Sequence, residues 1–209
     1  MHRFEVAAAI ADQRVIGIVR AADRIGADAA VDALLDAGLR VVEVSLTTPG
    51  ALDCIAAVAA RGIDGLVLGA GTVLDAASAR LAVLAGARFL VSPAVSRPMI
   101  RTAHRYGAAA IPGAASATEI VRALDCGADL VKLFPASAYG PRATGDLLAA
   151  LPQAPLVPTG GVTLDDAADY VRVGAVAVGM GAALTRGGPQ AAGERVGRLL
   201  ADLAAAAPA

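Results

Sequence analysis

Short runs rich in β-branched residues alternate along this chain with alanine-rich amphipathic segments. Eight runs stand out, over 15–20, 41–46, 66–73, 89–94, 108–112, 130–135, 155–159 and 175–179. They recur roughly every 20 to 26 residues, the spacing of βαβ units in a parallel sheet. The segments between them commonly end on a glycine, at Gly38, Gly62, Gly86, Gly107, Gly127 and Gly174, where a left-handed C-cap is expected. An amphipathic stretch over 4–12 precedes the first run and suits a plug for the bottom of a barrel. A last helix is expected over 191–205, followed by an Ala-Pro tail expected to fray. Eight units of nearly even length, with reactive residues at the ends of many strands, predict an α/β fold. The architecture expected is a (β/α)8 TIM barrel with an extra N-terminal helix, not an open doubly wound sheet with one crevice.

Strand alternation selects the candidate chemistry. In Leu130-Val131-Lys132-Leu133-Phe134 one face carries Leu130, Lys132 and Phe134, and the other is purely aliphatic. If the aliphatic face meets the helices, the Lys132 side chain points into the barrel. An ammonium buried there costs several kcal/mol unless it is paired or gives up its proton, and the neutral amine is a nucleophile towards carbonyls. Lys132 is the single lysine, all other residues of the Lys+Arg total of 18 being arginine. A preference for arginine accounts for a lysine-poor surface, but not for one lysine kept in mid-strand. The same alternation turns Glu43, Ser45 and Thr47 inward and Val42, Val44 and Leu46 outward. The second and sixth strands of an eight-stranded ring face each other, which sets Glu43 opposite Lys132 and gives an amine and a proton carrier together. Thr72 and Thr159 close two more strands with hydroxyls able to orient a carboxylate or keto oxygen. Gly160-Gly161 and Gly179-Met180-Gly181 follow the seventh and eighth strands, where this fold often binds phosphate through backbone N–H groups.

Composition narrows the partners. With 209 residues and 56% hydrophobic side chains, one core and one domain over 1–209 are expected. A formal charge of −1 without a Lys/Arg cluster argues against nucleic acid and anionic membranes, leaving a small-molecule partner. Glu5, Asp12 and Arg14 interrupt the N-terminal apolar residues, so neither a signal peptide nor a membrane span is expected, and the protein is expected in the cytoplasm. Cys54 and Cys126 lack metal-binding spacing and are expected to be buried free thiols.

Six segments, taken together, resemble the 2-keto-3-deoxy-6-phosphogluconate (KDPG) and 4-hydroxy-2-oxoglutarate aldolases. They are Val-Glu-Val-Ser-Leu-Thr-Thr-Pro at 42–49, Gly-Ala-Gly-Thr-Val-Leu at 69–74, Val-Ser-Pro at 91–93, Ile-Pro-Gly at 111–113, Val-Lys-Leu-Phe-Pro-Ala at 131–136 and Pro-Thr-Gly-Gly-Val at 158–162. The resemblance implies that Lys132 forms a Schiff base and that Glu43 is the general acid/base, acting through water. It places Thr72, Pro93, Phe134 and Thr159 around the pyruvyl group, and Gly160, Gly161, Gly179 and Gly181 on the phosphate. It also implies a homotrimer without metal or cofactor, cleaving a 2-keto-3-deoxy sugar acid to pyruvate and an aldehyde.

The sequence departs from the family at two places. Thr47 stands where the gluconate enzymes usually carry an arginine that grips the substrate carboxylate; Arg20, closing the first strand, can supply that charge. Ala182 replaces a serine that relatives often set on the phosphate. The stretch 135–141 looks like the galactonate-specific branch and Thr159 like the gluconate branch, so gluconate, galactonate and hydroxyoxoglutarate substrates all stay open. So do a phosphate-binding barrel isomerase or epimerase without an imine, and a scaffold in which Lys132 is a structural partner of Glu43.

Overall fold

The computed structural model describes residues 2–187 and 189–206. Parallel strands and helices alternate throughout. The strands are β1 (Val15–Val19), β2 (Val41–Ser45), β3 (Val67–Gly71), β4 (Phe89–Val91), β5 (Ala109–Ile111), β6 (Gly113–Ala114), β7 (Val131–Leu133), β8 (Leu156–Pro158) and β9 (Val178–Met180). The helices are α1 (Arg3–Gln13), α2 (Arg24–Asp36), α3 (Ala51–Ala60), α4 (Ala76–Leu84), α5 (Arg97–Arg105), α6 (Ala117–Asp125), α7 (Gly140–Ala150), α8 (Ala167–Arg172), α9 (Ala182–Thr185) and α10 (Pro189–Ala205). The expected helix over 191–205 thus begins two residues earlier, and the Ala-Pro tail lies outside the described residues.

The strands form a curled parallel sheet in two hydrogen-bonded sections, ordered β5-β4-β3-β2-β1-β9 and β6-β7-β8. Pro112 separates β5 from β6 because it has no N–H to give to the ladder, so the run expected over 108–112 ends early and a two-residue strand follows it. The Pro112 carbonyl still accepts from Lys132 N at 2.9 Å. On the other side Thr159 bridges Gly179, and Val176 N donates to Leu156 O at 2.9 Å. The six glycines expected to end helices all have positive φ, between 58° and 111°.

Alternation separates two interiors. Val42, Val44, Leu68, Ala70 and Leu90 pack outward with helix residues such as Val31, Leu34, Ile55 and Ile100, while Val131 and Leu133 meet Ile120 and Leu148. The inward residues Ile16, Val41, Val67, Phe89, Ile111, Leu130 and Val157 form a separate cluster with Val6 and Ile10 of α1. The N-terminal helix therefore buries its apolar stripe against the concave side of the sheet, as a plug. Its start is tied down by Arg3, which pairs with the carboxylate of Asp129; the other oxygen of that carboxylate accepts from Ala110 N and meets His104 Nε2, each at 2.8 Å. Its end is held by Gln13, whose amide oxygen accepts from Arg40 N at 2.7 Å, and by Arg14, which donates to the Leu203 and Ala206 carbonyls.

Both cysteines are free. Cys54 is buried, and burial together with the Asp28 carboxylate pushes its thiol up to about 12. Cys126 departs from expectation. It is only half-buried, because it caps the C-terminus of α6 where the chain turns at the surface.

Ile10 is fully buried in the plug. Ile10→Ala should lower stability by about 2–5 kcal/mol through lost transfer energy and a residual cavity, read as a fall in the urea midpoint with an unchanged slope.

Candidate active site

Lys132 lies in the middle of β7, hydrogen-bonded in register between Gly113 and Val157. Because Val131 and Leu133 occupy the outer core, its side chain goes to the concave side, where it is 8% exposed. Its ammonium stands 5.0 Å from the centre of the Phe134 ring, two residues along the same face. Glu43 sits in β2 with Ile18 and Gly69 as its register partners, and is 2% exposed. Its carboxyl group fills the space over Gly71, where an added Cβ would fall 1.6 Å from Glu43 Oε1. Glycine is required there because the carboxylate occupies the volume a side chain would need.

No ion pair or hydrogen bond joins Glu43 to Lys132 among the described residues, yet the two charges feel each other. Burial raises the Glu43 carboxyl above its ordinary value, and the nearby charges of Lys132 and Arg20 pull it back down. Among the described residues no fully enclosed side-chain N or O atom lacks a hydrogen-bond partner. The small exposed part of Glu43, which makes no hydrogen bond, therefore includes its carboxylate oxygens, so a small molecule can reach them.

A cavity of about 660 Å³ opens beside Lys132. Of the residues singled out from sequence, Arg20, Phe134, Thr159, Gly160, Gly161, Gly179 and Gly181 join Lys132 in its lining. Thr159 is held with its hydroxyl donating to Val157 O at 3.0 Å, and it packs on Gly179, where a Cβ would meet Thr159 Oγ1 at 2.4 Å. Gly160 and Gly161 have φ of 86° and 89°, and a Cβ on either would collide with Phe134 or Ser137.

Glu43, Thr47, Thr72 and Pro93 are not among that lining. Thr47 is exposed beyond β2, and its hydroxyl meets Ser45 Oγ at 2.8 Å. Ser45 Oγ also meets Thr72 Oγ1 at 3.0 Å, which makes Ser45 the link between the ends of β2 and β3. Thr72 has φ of 58°, a conformation that costs a β-branched residue on the order of 1–3 kcal/mol. Pro93 lies against Gly113, whose missing Cβ would be 2.4 Å from the Pro93 carbonyl.

Sequence reasoning passed over Ser45 as a site residue, although it stood on the inward face. It also passed over Arg186 and Arg195, which line the cavity from the chain after β9. Their only signal in the sequence is that both follow Gly179-Met180-Gly181. Among the described residues no group of three or more His, Cys, Asp or Glu side chains is placed to hold a metal ion, and no helix is long and apolar enough to cross a membrane.

The sequence model of the KDPG and KHG aldolase family matches residues 6–194. The chain belongs to this family of aldolases. It is 37% identical over 175 residues to the 2-dehydro-3-deoxy-6-phosphogalactonate aldolase of Escherichia coli, covering 83% of this chain and 85% of that one. It is 44% identical over 140 residues to the 2-dehydro-3-deoxy-phosphogluconate aldolase of Treponema pallidum, covering 66% of each. In structure it is similar to the KDPG aldolase of Legionella pneumophila, solved with pyruvate captured at low pH as a covalent carbinolamine intermediate. That likeness has a TM-score of 0.78 at 27% identity, over 97% of this chain and 98% of the other. As a member of an aldolase family the protein is a lyase, and its relatives divide between gluconate and galactonate substrates.

The raised Glu43 carboxyl gives a stability signature. Within the window between the ordinary carboxyl value and the raised one, the folded state binds more protons than the unfolded state, so stability falls as pH rises through it. Urea midpoints of the parent should therefore drop relative to Glu43→Gln as pH is raised from about 4.5, and a constant difference would contradict the burial of that charge.

Proposed function

We propose that this protein is a class I aldolase cleaving 2-keto-3-deoxy-6-phosphogluconate to pyruvate and glyceraldehyde 3-phosphate. The observation that carries the reading is the chain's single lysine, nearly buried on the concave face of β7, lining a cavity and within electrostatic reach of the buried Glu43. The framework we infer is one closed (β/α)8 barrel domain over 1–209, with β5 and β6 as one strand interrupted at Pro112 and α1 as the extra helix. Following the family resemblance, the protein works without metal or cofactor as a cytoplasmic homotrimer.

The Lys132 amine adds to the C2 ketone, and loss of water gives a protonated imine. Glu43, through a water molecule, takes the proton of the C4 hydroxyl. The C3–C4 bond then breaks, its electron pair moving into the imine to form an enamine while C4 leaves as the aldehyde. Glu43 returns a proton to C3, and water hydrolyses the imine to free pyruvate and the amine. A carboxyl raised by burial suits this role, since its carboxylate is a stronger base than an exposed one. Arg20 holds the substrate carboxylate in place of the arginine missing at Thr47. Thr159 and Phe134 orient the pyruvyl portion from one side, with Thr72, Thr47 and Pro93 from the other. Backbone N–H groups around Gly160, Gly161, Gly179 and Gly181 receive the phosphate. A galactonate substrate is the second reading, favoured by residues 135–141 and by the E. coli relative; it differs in the C4 configuration, with the same residues in the same roles.

Borohydride reduction in the presence of pyruvate should add one stable adduct at Lys132, located by mass spectrometry of peptides, and Lys132→Met should abolish both adduct and turnover. An unmodified parent chain would overturn the mechanism. Gly71→Ala should leave the fold intact by circular dichroism yet lower kcat roughly a hundredfold, because the methyl group displaces the Glu43 carboxyl by an ångström or more.

A further inference from the structure

Every charged residue that lines the cavity is basic: Arg20, Lys132, Arg186 and Arg195. The four are not equivalent. Lys132 and Arg20 share the field of Glu43, so the inner part of the site already holds a counter-charge. Arg186 and Arg195 have no acidic partner among the described residues. They belong to the wall built from the end of β9, the short α9 and the start of α10, where Gly181, Ala182 and Thr185 also face the cavity. Arg195 donates from Nη1 to the Arg186 carbonyl, and its Nη2 stands 3.6 Å from where a Cβ on Gly187 would lie. That bond ties the guanidinium of one arginine to the turn that carries the other. Ala182, on the same wall, offers no polar side-chain atom, and backbone N–H groups bring partial charges only.

Two guanidiniums on one cavity wall bring like charge together, and among the described residues no protein anion meets the donors of either. A tetrahedral dianion relieves both conditions, since each fork gives it two N–H donors. We propose that Arg186 and Arg195 form a guanidinium pair that takes the distal phosphoryl group of the substrate and sets the enzyme's preference for phosphorylated over unphosphorylated 2-keto-3-deoxy acids. The substrate assignment rests on the aldolase reading above; the anion site itself does not.

The test has an arm for each. Calorimetric titration of the full-length protein with inorganic phosphate should show binding that weakens with added salt and is lost in the Arg186→Gln, Arg195→Gln double variant. In steady state, each single replacement should lower kcat/KM for the phosphorylated acid roughly ten- to a hundredfold through KM. Turnover of the same acid without phosphate should fall far less, and Arg195→Lys should recover part of the loss. Pyruvate trapping at Lys132 should persist in the double variant, which excludes unfolding as the cause. Unchanged phosphate binding in the double variant, no binding by the parent, or an equal fall on both acids would overturn the pair. If the parent shows no pyruvate adduct, the aldolase reading fails, while the phosphate titration still decides the guanidinium site.

Discussion

The arrangement depends on keeping opposite charges inside an apolar concavity. A carboxylate or ammonium taken from water into such a place loses several kcal/mol of hydration, and only nearby opposite charge and access to a small polar molecule offset it. Glu43 meets these terms through Lys132 and Arg20, without a direct ion pair to either. A direct pair would hold each group in its charged form. A gap between them leaves the carboxyl raised by burial and reachable, which is the state in which a proton can come and go.

Much of the surrounding structure follows from that placement. The concave face has bulky apolar residues at one end, where α1 closes it with Val6 and Ile10. Gly71 leaves room for the Glu43 carboxyl, and Gly179 for the Thr159 hydroxyl. Stability is gathered at the plugged end, where Arg3, Asp129, His104 and Gln13 fix the helix. Strain is gathered at the open end, where Thr72 is held in a left-handed conformation with its hydroxyl on Ser45. Apolar burial over the rest of the fold is what lets such local costs persist.

The charge of the cavity gives the family its particular form in this chain. A protein with a net charge of −1 lines the cavity beside Lys132 with four cations and, among the described residues, no acid. A cleft of one sign with low-dielectric walls concentrates oppositely charged ligands, so a substrate with an anion at each end suits it better than one with a single carboxylate. The division into an inner pair that shares Glu43 and an outer pair without a counter-ion gives such a substrate a direction: keto acid inward, second anion outward.

The alternation of β-branched runs and glycine-ended helices made the order of strands and helices readable, as did the separation of inner and outer faces, because a strand side chain can point only two ways. That was enough to send Lys132 and Glu43 to one concavity and to put the paired glycines on its rim. The split at Pro112 was readable in principle, since proline withholds a donor from any ladder. Local pattern could not supply distances between residues far apart in sequence. The gap between Glu43 and Lys132, the Ser45 bridge from Thr47 to Thr72 and the arrival of Arg186 and Arg195 at the cavity all depend on how the curled sheet brings chain segments together. An arginine that follows the last strand reads as a solvated surface charge until the fold sets α9 beside β1 and packs α10 against α2, α8 and α9. Sequence alone determined which faces are apolar, because burial follows side-chain chemistry and strand period. Tertiary structure decided which charges share a field, because that depends on separation in space and on the water excluded between them.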